Sequence, residues 1–70
     1  MMPLTLASTG EENVILKISG NKAVKKHLED LGFVAGGTVM IVATIAGNLI
    51  VNVKDSRVAL SQEIARHIMV

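Results

Sequence analysis

The sequence predicts a mainly β protein: a small, strongly bent antiparallel barrel with one main helix and a short C-terminal helix. Three observations predict it. Half of the 70 residues are hydrophobic, which supplies one core to a chain that buries only about 60% of its unfolded surface. Between Thr38 and Val53 more than half the residues are Thr, Val or Ile, which are favoured in strands and stiff at χ1. Ahead of that block, a single helical stripe of apolar residues runs through Lys22–Leu31. A single domain over 1–70 is expected.

Taken in order, Gly10-Glu11-Glu12 is a turn and Asn13 to Ile18 a short apolar strand. Alternation sends Val14, Leu16 and Ile18 inward, with Ile15 and Lys17 outward. Ser19-Gly20-Asn21 opens the helix, with Asn21 or Ser19 as its N-cap. Val24, Leu28 and Leu31 repeat at i, i+4 and i+7, the spacing of one buried face. Gly32 stands where a glycine ends a helix in the left-handed region, and Gly36-Gly37 turns the chain into the next strand. Thr38 to Ile45 and Asn48 to Val53 form a hairpin, with Gly47-Asn48 supplying the positive-φ turn. Its inward set is Val39, Ile41, Ala43 and Ile45, facing Leu49, Val51 and Val53. Lys54-Asp55 is a second turn and Ser56 to Leu60 a further strand. Ser61 caps a last short helix with Glu63 in its first turn and Ile64 and Ile68 on its inner face. This order is close to that of SH3-like barrels.

The charge-free run from Leu31 to Val53 has about the length of a membrane span. Gly36-Gly37, Gly47-Asn48 and Asn52 interrupt it, and its β-branched content favours the hairpin instead. Without cysteine there is neither a disulfide framework nor a thiolate metal site. No basic segment with an apolar stretch follows Met1-Met2-Pro3, so a cytoplasmic address is expected. A formal net charge of +1 gives no electrostatic case for nucleic acid or an anionic membrane. Phe33 is the single aromatic residue, so neither a base-stacking platform nor an aromatic groove for proline-rich ligands can be built. The serines at 8, 19, 56 and 61 fall at turns or caps. With the two histidines expected on different helices, no nucleophile, base and orienting group converge. Neither an enzyme nor a cofactor is expected.

Metal chemistry has two candidate sets. Glu63 and His67 lie four apart on the expected last helix, and His27, Glu29 and Asp30 cluster on the first. Each histidine is three residues after an apolar stripe position, Val24 or Ile64, which is the place of a core-edge residue. No metal-ligand set is therefore assigned. Gly20-Asn21-Lys22 with Lys25 and Lys26 puts cations at a helix N-terminus but lacks a phosphate-loop pattern. Lysines there, with Glu29 and Asp30 at the other end, oppose the helix dipole by a few tenths of a kcal/mol each. A solvated face and a pattern kept for a partner both fit. Finally, alternation along the hairpin leaves Met40, Val42 and Ile50 pointing outward. Either a terminal segment (Leu4 to Leu6 or the last helix) covers this apolar patch or a partner does.

The stretch "HLEDLGFVAGGTVMIV", followed by "GNLIVNVKDSRVALSQEIARHIMV", resembles the FeoA family, small accessory proteins of ferrous-iron transport in bacteria and archaea. The similarity runs from about Pro3 to Val70. Its most specific part is the helix exit Leu31-Gly32-Phe33-Val34 with Gly36. Ala35, Asn48, Ser56 and Ser61 depart from residues common in the family. The resemblance implies an SH3-like barrel that acts on the membrane transporter FeoB, which carries a cytosolic G domain. The protein would then be peripheral to the membrane through that partner alone. Met40, Val42 and Ile50, with Lys22, Lys25 and Lys26, are the candidate contact residues, and weak self-association stays open. A related domain ends some metal-dependent repressors, so the alternative is a sensor that binds a divalent ion itself.

Overall fold

A computed structural model describes residues 1–70. After a 3-10 turn at Leu4–Leu6 come β1 (Glu12–Val14), β2 (Lys17–Ile18), α1 (Lys22–Asp30), β3 (Thr38–Ile45), β4 (Asn48–Val53), β5 (Ser56–Ser61), α2 (Gln62–Ala65) and β6 (Ile68–Met69). The strands form one four-stranded antiparallel sheet in the order β1-β3-β4-β5 and a two-stranded ribbon of β2 with β6.

Local chemistry explains most of the boundaries. The Asn21 side chain accepts a hydrogen bond from the Val24 N–H at 2.9 Å and caps α1. At the other end the Gly32 N–H donates to the Glu29 carbonyl and the Phe33 N–H to the Leu28 carbonyl, both at 2.9 Å. This crossed pair is a Schellman closure, and it needs the left-handed backbone that Gly32 adopts at φ +105°. The two residues it joins, Leu28 and Phe33, are both buried. The two hairpin turns are tight two-residue loops, Ala46-Gly47 and Lys54-Asp55, with positive φ at every position. Mirror-image turns of this kind match the right-handed twist of the strands they join. Asn48 therefore begins β4 rather than forming the turn.

The core consists of twelve buried hydrophobic residues. The expected inward residues Val39, Ile41, Leu49, Val51 and Val53 come from β3 and β4, and Leu60 joins them from β5. Leu28 enters from α1, with Val24 and Leu31 packed at its edge. Leu4 and Ala65 are also fully buried. The 3-10 turn rests on α2, so these two terminal elements complete the core.

Three further expectations are corrected. The strand expected over Asn13 to Ile18 is broken in two, and its facing is reversed in the middle. Ile15 is 1% exposed, whereas Val14 and Leu16 are 53% and 54% exposed. The cause is a change of sheet: Ile15 exchanges backbone hydrogen bonds with Gly36 and Gly37, and the Leu16 N–H donates to the Met69 carbonyl, all at 2.8 Å. Alternation does not survive such a crossing.

In β3 the pairing with β4 shifts between Ile41 and Ala43, so Val42 is the extra residue of a β-bulge. Beyond it Ala43 pairs with Ile50 and Ile45 with Asn48, which turns Ala43 and Ile45 outward. Ile45 is 60% exposed.

The last helix stops at Ala65, although Ser61 caps it as expected, accepting from the Ile64 N–H at 3.3 Å. Ile68 is buried as part of β6, not on a helix face. The ribbon continues past β6, where Met2 and Val70 exchange two backbone bonds of 2.8 Å.

Candidate functional site

Residues directly opposite one another in a sheet share a face, so the register gives the outer surface row by row. Next to the open end lies the row Glu12, Met40, Asn52 and Arg57. The next row is Ala43, Ile50 and Ala59, followed by Ile45, Asn48 and Ser61. Val42, inserted at the bulge, accompanies Ala43 opposite Ile50. The middle of this face is thus apolar, while the Met40 row gives it a polar border. Within that border the Arg57 Nε donates to the Asn52 Oδ1 at 3.3 Å. An open groove runs along it, lined by Glu12, Thr38, Met40, Asn52, Asp55 and Arg57.

Met40, Val42 and Ile50 are all half-buried, and Ala59 is exposed. Leu4 and Ala65, from the two terminal elements, turn into the core. Ala43, Ala59 and Ile45 belong to the same patch and were not expected there. Locating Ala43 and Ile45 requires the bulge, and nothing in a run of Val, Ala, Thr and Ile marks which residue will be extra.

Lys22, Lys25 and Lys26 are exposed on α1. Lys26 lies 3.8 Å from the Asp30 carboxylate, one turn on, a solvent-exposed pair that contributes at most a few tenths of a kcal/mol. Lys25 and Glu29 border a small depression with Ile18, Phe33, Val34 and Ala35. α1 inserts Leu28 into the core, and none of its lysines belongs to the outer-face rows. The lysines and the Met40–Ile50 face do not form one surface.

The two possible ligand sets also separate. His67 follows the end of α2, so it shares no helix face with Glu63. Its carbonyl accepts the Ser19 N–H at 2.8 Å, and its Nδ1 lies 3.3 Å from the Ser19 Oγ. A Cβ at Gly20 would meet that nitrogen at 3.1 Å, so glycine is what lets the ring lie against the helix entry. His27, Glu29 and Asp30 remain on exposed faces of α1. No three His, Asp or Glu side chains gather at one point. No helix is long and apolar enough to cross a membrane, and the charge-free run is the β3–β4 hairpin.

The FeoA domain model matches residues 2–70. The chain belongs to the FeoA family. A relative from Methanocaldococcus jannaschii, provisionally assigned as Fe(2+) transport protein A, is 30% identical over 70 residues, covering all of this chain and 85% of the relative. The FeoA protein of Stenotrophomonas maltophilia, solved with zinc and described as a prokaryotic SH3 domain protein, is 28% identical. It superposes with a TM-score of 0.85 over 99% of this chain and 88% of its own. A crystal structure of another FeoA, described as an iron uptake regulatory protein, is 24% identical, with a TM-score of 0.89 over 97% and 90% of the two chains. FeoA membership therefore agrees with the SH3-like barrel expected from the element order.

Proposed function

We propose that this FeoA-family protein is a non-enzymatic interaction module of ferrous-iron uptake, docking in the cytoplasm on the cytosolic part of a FeoB-type transporter. Family membership supports the iron-transport setting. The observation that carries the docking surface is the outer row Val42, Ala43, Ile50 and Ala59, an apolar centre with a polar border on an antiparallel sheet. A central apolar cluster surrounded by polar groups is the usual anatomy of a protein contact. The lysine end of α1, which shares no row with that face, offers a second contact to a large partner.

The test is a titration of the purified protein against the transporter's cytosolic domain, in parallel with pull-down from native membranes. Saturable binding that Ile50→Lys weakens is the expected result. Full binding by that variant removes this face from the interface. The Stenotrophomonas relative was solved with zinc, which favours a sensor as the second reading. Anaerobic titration of metal-free protein with Fe(II), Mn(II) or Zn(II) separates the two. Transporter binding without added metal supports the module, and stoichiometric ion binding that is required for it supports the sensor.

A further inference from the structure

The four-stranded sheet has two edges, and they are protected very differently. β1 at one edge is three residues long and begins with Glu12, beside Glu11. β5 at the other is six residues long and pairs with β4 without any register shift. It carries no proline, lysine or bulge, the devices that keep sheet edges from pairing. Its single charge is Arg57.

The hydrogen-bond parity of β5 is fixed by its turn. A two-residue loop makes Val53 and Ser56 the first bonded pair, so Ser56, Val58 and Leu60 exchange bonds with β4. The N–H and C=O groups of Arg57 and Ala59 then point away from the sheet. They have no partner in a neighbouring strand or in the turns and loops. Arg57, Ala59 and Ser61 are all exposed.

We infer that β5 is a self-association edge, pairing antiparallel with β5 of a second copy about a two-fold axis at Ala59. In that register each Ala59 bonds the other, the Ser61 N–H reaches the partner's Arg57 carbonyl, and each Arg57 stands opposite a serine rather than another arginine. Like charges directly opposite would oppose pairing; this alignment avoids them. It also joins Ala43, Ile50 and Ala59 of one copy to the same row of the other, making a continuous apolar strip across both sheets. A formal net charge of +1 leaves little long-range repulsion between copies. A self-complementary surface of this type is what a two-fold dimer requires. The inference goes beyond the transporter reading and does not depend on it.

Sedimentation velocity of the full chain over a wide concentration range, with amide hydrogen exchange on the same samples, tests the edge. The expected result is a weak, concentration-dependent dimer in which the Arg57 and Ala59 amides become protected as the dimer fills. Ala59→Pro removes the outward N–H without touching the β4 ladder and should raise the dissociation constant about tenfold or more. Should that variant unfold, Ala59→Lys keeps the N–H and sets two ammonium groups against each other at the axis, with the same expected loss. A chain that stays monomeric with freely exchanging Ala59, or a dimer indifferent to both substitutions, overturns the inference. Protection of Ala59 that appears only on adding the transporter's cytosolic domain also overturns it, by giving the edge to a foreign strand.

Discussion

Ile50 and Val51 are neighbours in β4 on opposite faces of the sheet, so the same substitution at each should give opposite results. Val51 is fully buried among the core residues, and a lysine there must either bury an ammonium, at several kcal/mol, or open the barrel. A chain of 70 residues has a total stability of about 4–10 kcal/mol, so Val51→Lys should leave much of the protein unfolded. Ile50 is half-buried between Ala43 and Ala59. Complete burial of such a side chain is worth about 1.5–3 kcal/mol, and a lysine stem can still lie along the patch with its charge in water. Ile50→Lys should therefore cost about 1 kcal/mol of stability and preserve cooperative unfolding. The same variant should lose more than about 1 kcal/mol of binding if Ile50 is at the centre of the contact. Urea melts followed by transporter-domain titration read the two quantities separately. A folded Val51→Lys beside an unfolded Ile50→Lys would reverse the register. A stable Ile50→Lys with unchanged binding would refute the assignment of this face.

Leu28→Ala, which empties a fully buried position on α1, should cost about 2–5 kcal/mol in a denaturant melt; a loss below about 0.5 kcal/mol would place the helix face elsewhere. Gly32→Ala must put a side chain at φ +105° and should cost about 1–2 kcal/mol, seen as a lower melting temperature. Asn21→Ala removes the α1 cap and should cost about 0.5–2 kcal/mol, with Asn21→Asp retaining most of the stability. Glu63→Ala should leave stability and transporter binding nearly unchanged; a fall in melting temperature confined to samples containing divalent metal would instead favour the sensor.

What could be read from the sequence was whatever local chemistry decides. The α1 cap at Asn21, its exit through Gly32, the limits of β3 and β4 and the Lys54-Asp55 turn each depend on residues within a few positions of one another. The facing of Val14, Ile15 and Leu16 depends instead on Gly37 and Met69, which are distant in sequence, and alternation had no access to them. Ile64 and Ile68 share a helical spacing, but the three residues between them were too few to distinguish one continued helix from a helix followed by a strand. The same division runs through the candidate site. Met40 and Ile50 were legible as outward because they precede the bulge or lie on the regular strand. Ala43 and Ile45 were not, because one inserted residue reverses everything after it.

The pairing of Met2 with Val70 bears on the unfolded state. Folding brings positions 68 residues apart into hydrogen-bonding contact, and the chain loses loop-closure entropy on the way. A peptide linkage across that point would impose the closure on the denatured ensemble and leave the native backbone almost undisturbed. By the relation that governs cross-links, closing a ring of this size removes about 4 kcal/mol of denatured-state freedom. A head-to-tail cyclised form should consequently melt well above the linear one while presenting the same Val42–Ile50 face, and new ends could be opened at the exposed Ala46-Gly47 turn.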